Sequence, residues 1–371
     1  MNETKWLTGV DGDAMLDFVA DRLSPRQWVL VSAAFARKLW DLLPAGVLRE
    51  AIDHAERAMH PLTIEERNEW TRKIDAATPA AVAAGELAQR EIVKSCDPDA
   101  ADIERPVLAR PNQSAPAFPL FLAASRNARS SIELIGSAIG EAAEAVRLLF
   151  SEPGEEMLDL VRNRVDQASD TRTNANRTAN NALRLKAKGD EIADQAAGAK
   201  NKRLYDSIAA EEVRKVEEGG RSRGEFGDFD AEEKRERAAR KLLAGILREV
   251  VGNPFKPPRF EPAWRTSTVV NIARGIYEER AFDRMPVLAD ALLDADCDEE
   301  AVLRHCRGTE LNVKEQPTHI RGCWVVETIL ERFAPLPPEE PGKPPRPRRR
   351  RHPYEDFDLS GGMDLGEDRL A

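Results

Sequence analysis

Between residues 24 and 44 the chain reads SPRQWVLVSAAFARKLWDLLP, and within it Trp28, Val31, Phe35, Leu39 and Leu42 recur at steps of three and four. That spacing lays side chains along one face of an α-helix; a half-buried strand would alternate every two residues. Similar spacing returns in segment after segment. Ala, Leu, Glu and Arg are frequent throughout and β-branched runs stay short, a mix that favours helix. The sequence therefore predicts an all-α protein.

Local signals divide the chain. Ser24 suits a helix cap and Pro25 a first turn, and Pro44 stops the run. Val47, Leu48, Ala51, Ile52, Ala55 and Met59 form the next stripe. Thr63 to Glu66 (TIEE) is a capping-box start, and Thr78-Pro79 predicts the start of a separate helix that fades near Cys96. Four prolines and no apolar period make 97–118 a linker. A helix follows over about 119–150. Leu158, Val161, Val165, Ala168, Ala175, Ala179 and Ala182 then form a seam interrupted by Arg172. A seam made mostly of alanine predicts a weak coiled coil, and its polar surroundings predict a solvated helix or a partly disordered insertion. After a Gly-rich hinge at 217–230, Leu242, Leu243, Ile246, Leu247 and Val250 mark another helix with Gly252 as its C-cap. Short helices are predicted over about 267–280, 285–295, 298–306 and 321–333. The resulting organisation is an N-terminal helical domain (1–96), the linker, a long helix with a polar helical insertion (119–230), a C-terminal helical domain (231–334) and a disordered tail (335–371).

The ordered segments LLAGILREVVGNPFKP, IARGIYEERAFDRMPVLADALLDADC, LRHC and HIRGCWVVETIL, with WL, ML.F and AER near the start, carry a resemblance. The chain resembles a large group of uncharacterised proteins expanded in planctomycete bacteria, notably the Gemmata group, over roughly residues 5–60 and 236–332. In that group a short glycine-proline loop precedes H.RGCW, where this chain has the longer TELNVKEQPT. The resemblance implies no activity and no catalytic residue.

The richest chemistry lies in HCRGTELNVKEQPTHIRGCW (305–324), which holds two of five histidines and two of four cysteines. Extended to Cys297, it offers Cys297, Cys306, His319 and Cys323 as a Cys3His zinc set, with His305 as a substitute for its neighbour. The spacing Cys306-x12-His319-x3-Cys323 resembles half of a zinc module, but no C-x2-C knuckle is present. Adjacent helical residues point about 100° apart, so His305 and Cys306 do not easily share an ion. In the plainer reading Cys297 and Cys306 are small buried apolar residues at helix ends. A Cys323/His319 nucleophilic pair is a further reading, without an identifiable orienting group. Neither a phosphate-cradling G-x-x-x-x-G-K-[ST] nor H-E-x-x-H occurs.

A net charge of -10 argues against bulk attraction to nucleic acid. Arg346, Arg348, Arg349, Arg350 and Arg351 in the proline-rich tail form a candidate interaction patch for a protein partner, or for weak, sequence-blind contact with phosphates. The start of the chain shows no signal-peptide pattern and no apolar stretch reads as a membrane span, so the expected setting is cytoplasmic, with reduced thiols and no membrane partner. The leading functional expectation is a non-enzymatic protein-interaction or regulatory module using helical surfaces and the tail. The alternative is a zinc-stabilised binding domain organised around 297–323, and the third reading is a thiol enzyme.

Overall fold

The computed structural model describes residues 1–94, 96, 117–197, 202–221, 229–308, 319–332 and 336. The described residues form α-helices and short 3-10 turns, with no strand among them. An N-terminal group comprises α1 (Glu3–Thr8), α2 (Gly12–Val19), α3 (Pro25–Ala36) and α4 (Val47–Arg57). Three long helices follow: α5 (Ile64–Val93), α6 (Phe118–Leu148) and α7 (Glu155–Ala197). Beyond them come α8 (Lys202–Arg221) and α9 (Phe229–Val251), then four short helices, α10 (Ser267–Glu279), α11 (Met285–Asp294), α12 (Glu300–Arg307) and α13 (Trp324–Ile329).

The caps act as the sequence predicts. Ser24 and Gln27 close a capping box at α3, and Thr63 and Glu66 do the same at α5. The stripe from Trp28 to Leu42 is buried throughout. Three expectations need correction. The helix starting at Thr63 does not stop at Pro79: α5 runs through it to Val93. Proline removes a single backbone donor, and buried Ile74 and Ala81 hold the helix against its neighbours on either side. Met59 lies beyond the end of α4 and is exposed, so it does not extend the stripe. The last helix begins at Trp324, not Arg321, because Gly322 takes a left-handed conformation (φ 99°) that breaks the helical path.

α6 and α7 form an antiparallel hairpin joined by a short turn. At 43 residues α7 is about 65 Å long. Every one of the seven predicted seam residues, Leu158 to Ala182, is buried, and the seam continues to Leu185 and Ile192. Its partner is α6 of the same chain, whose buried face is also largely alanine (Ala124, Ala128, Ala138, Ala142 and Ala145). Small side chains on both helices let the backbones approach closely, so the insertion is a packed element with solvated outer faces.

The core divides into three parts. One cluster joins α2–α4, the turn end of the hairpin and the apolar face of α9. A second contains α10–α13. A third fills the far end of the hairpin against α8. α2 and α9 cross closely at Gly12, where an added Cβ would lie 2.4 Å from the Arg240 carbonyl oxygen.

A charged layer couples the first two clusters. The buried Glu56 carboxylate accepts from Arg37 (2.6 Å), Arg321 (3.3 Å) and Arg280. Arg321 also donates to Asp53 (2.9 Å) and to the Tyr277 and Glu278 carbonyls (both 3.0 Å). No helix among the described residues is long and apolar enough to cross a membrane.

Candidate metal centre

Where the first cluster meets the second, four potential ligands converge: Glu249, His305, His319 and Cys323, each offering one donor atom within 4.8 Å of the others. Glu249 lies in the last turn of α9, three residues after Ile246 and therefore on the apolar stripe. Gly252 (φ 72°) ends that helix, and its carbonyl accepts the Trp6 indole N–H at 2.8 Å. Arg248 donates to the Trp6 carbonyl (2.8 Å) and to that of Gly9, which fixes the same turn against α1. A carboxylate here is only 2% exposed and sits at the negative end of the helix dipole, so it requires a cation or strong donors.

His305 projects from α12, and its Nε2 lies 3.1 Å from Cys323 Sγ and 3.6 Å from Glu249 Oε2. His319 Nδ1 lies 3.1 Å from the same Glu249 oxygen. The two imidazoles meet edge to face with centroids 4.9 Å apart. The turn 320–323 delivers Cys323, closed by its N–H to the Ile320 carbonyl (3.0 Å). Gly322 makes this turn possible: besides its positive φ, an added Cβ would press on Leu30 at 3.1 Å. Arg321 anchors the turn to α4 and α10 while His319 and Cys323 face α9.

The electrostatics single out one thiol. Burial opposes ionisation of Cys323, but the charge of His305 and hydrogen bonds from both histidines outweigh it and bring the thiol below its ordinary pKa. Burial likewise opposes protonation of His319, yet Cys323 and Glu249 raise it to about 9. Burial instead pushes Cys306 up to about 12 and raises Cys297. The centre thus couples an easily ionised thiol and a carboxylate to two imidazoles, with positive charge supplied by protons on the histidines or by a metal ion that displaces them.

This donor set suits a borderline-soft divalent ion. Tetrahedral zinc, with bonds of roughly 2.0–2.3 Å, places neighbouring ligand atoms roughly 3.3–3.7 Å apart. Three of the six ligand separations, at 3.1, 3.1 and 3.6 Å, lie near that geometry, and all six fall within 4.8 Å. Imidazole and thiolate select such a metal over calcium or magnesium.

Of the four ligands expected from the sequence, the structure brings together His319 and Cys323. Cys297 and Cys306 stand outside the cluster, buried in the apolar core of α10–α13. Of the adjacent pair, His305 turns inward to the centre, which is the substitution the sequence allowed. Glu249 was missed; its signal was an acidic residue on an otherwise apolar helix face. The thiol-enzyme reading paired Cys323 with His319, whereas the structure adds His305 beside the sulfur. Cys323, His305 and Glu249 form a Cys–His–acid arrangement in which Cys323 and His305 are each 1% exposed. Arg346, Arg348, Arg349, Arg350 and Arg351 lie outside the described residues, as does most of the linker. No family model matches this chain, and neither does any curated protein or solved structure.

Proposed function

We propose that Glu249, His305, His319 and Cys323 bind one divalent transition-metal ion, zinc by its donor preference, and that the protein is a metal-braced helical binding module. The observation that carries this reading is the convergence of three buried donors and the half-buried His319, of suitable chemistry, drawn from α9, α12 and the turn before α13. Four protein ligands fill a tetrahedral ion, the pattern of a structural site; a catalytic site keeps one position for water or substrate. The brace joins Glu249, whose helix packs into the N-terminal core, to three ligands from the C-terminal segments. It fixes the relation between two groups of helices and hence the surface they present together.

Metal analysis tests the proposal on protein purified without an affinity metal column. The expected result is about one zinc per chain, lost in Glu249→Gln and Cys323→Ser and retained in Cys297→Ala. Metal-free wild-type protein, or a stoichiometry unchanged by Cys323→Ser, would refute it.

A further inference from the structure

A half-open groove of about 200 Å³ lies beside the N-terminus of α3, between that helix, the segment after α4 and the end of α9. Pro25, Leu30, Met59, Pro61 and Val250 make its lining largely apolar. Met59 is 53% exposed and Pro61 is exposed beside it, so this surface gains free energy when it is covered. One wall is charged. Arg26 and Arg332 both pair with Glu327, at 2.9 and 3.6 Å, and two guanidinium groups against one carboxylate leave one net positive charge there. The same wall is where the last continuous described stretch ends. Arg332 lines the groove, and the next described residue, Leu336, packs half-buried against the first core cluster, to which Leu30 and Val250 belong. Four residues of extended chain reach at most about 14 Å, so the tail sets out alongside the groove.

We propose that this groove is the seat of the chain's own segment 335–341, PLPPEEP, anchored by Leu336, and that the tail closes this face in cis. Pro335, Pro337 and Pro338 bring apolar rings and no backbone N–H, so covering the groove with them strands no donor. A proline-rich segment is also extended before it docks, which lowers the entropy cost of seating it. Glu339 and Glu340 follow directly, opposite in sign to the charged wall. The tether to Arg332 holds the segment at an effective concentration of about millimolar, which favours it over a free proline-rich partner. The inference stands apart from the metal proposal, since none of the four proposed ligands lines the groove.

Two pairs of cysteines introduced into the full-length chain test it: Met59→Cys with Pro338→Cys, and Ile64→Cys with Pro338→Cys. Ile64 is more exposed than Met59 and does not line the groove, so it controls for simple proximity of the tail. Under mild oxidation the first pair is expected to close an intramolecular disulfide at least about tenfold faster than the second. A second measurement needs no added cysteine. Dilute hydrogen peroxide, with the products mapped by mass spectrometry, should oxidise Met59 at least about threefold faster in the Pro337→Asp/Pro338→Asp chain than in the unsubstituted one. Both substitutions lie in the tail, outside the helical core. Equal rates for the two pairs, a disulfide that joins two chains, or Met59 oxidation unaffected by the tail substitutions would each overturn the proposal.

Discussion

The α6–α7 hairpin and the junction of α9, α12 and α13 are both well buried, but they are held by opposite chemistry. Along the hairpin the seam is alanine with a few larger aliphatic residues, repeated turn after turn, and each turn adds a similar small increment. At the junction a carboxylate, two imidazoles and a thiol from distant parts of the chain meet within 4.8 Å, and Arg321 ties the same turn to Asp53 on its other side. Such a network is stable only when every member is satisfied. The hairpin should therefore tolerate damage by degrees, whereas the junction should fail as a unit.

The largest effect is expected from removing the proposed ion. A strong chelator, or Cys323→Ser, should break the link between α9 and the C-terminal segments and destabilise the junction by about 3–5 kcal/mol, the scale of disrupting a buried charged network. Hydrogen exchange would localise the damage. Amides of α12 and α13 should lose protection while those of the middle of α6 and α7 keep theirs, and uniform loss along both regions would erase the distinction drawn here.

Arg321→Met comes next. It removes one of two arginines from Asp53 and one of three from Glu56 and leaves two backbone carbonyls without their donor, for an expected loss of about 3 kcal/mol in urea unfolding, with no change in metal content. A loss within experimental error would show that Arg37 and Arg280 carry the layer without it. On the hairpin side, Ala175→Leu overfills the seam and should cost about 1–3 kcal/mol. Metal content should not change in that variant, and loss of the ion would mean that the two regions are coupled.

The smallest effect concerns pH. His54 packs at a tilt against Trp70 with ring centroids 4.7 Å apart, and burial lowers its pKa despite the nearby Glu66 charge. The folded state thus resists protonation that the unfolded chain accepts near pH 6.5. Its contribution is intact above that value and declines as pH falls below it. His54→Phe should flatten this part of the stability profile between pH 5 and 7, and an unchanged slope would assign it to other groups.

The two regions also differed in how much of them the sequence disclosed. The hairpin seam was legible residue by residue, because its information is local: a period of three and four survives any tertiary context. What the period could not supply was the partner, so a packed hairpin read as a weak coiled coil in a polar insertion. Pro79 misled for a related reason. A local breaker was overruled by packing on both sides of it. The centre was half legible. His319 and Cys323 stood out because they share one short segment, and the 100° argument correctly divided His305 from Cys306. It could not say which of the two faced inward. Glu249, 56 residues before His305, carried only the weak mark of an acid on an apolar stripe. No spacing rule links residues that the fold alone brings together.

Cobalt(II) substitution tests the central claim most directly, because its spectrum reports both geometry and the number of thiolates. The account predicts intense visible bands of a tetrahedral site and one thiolate-to-cobalt charge-transfer band, lost in Cys323→Ser and preserved in Cys306→Ala and Cys297→Ala. A weak octahedral spectrum, or a thiolate band that survives Cys323→Ser, would contradict it.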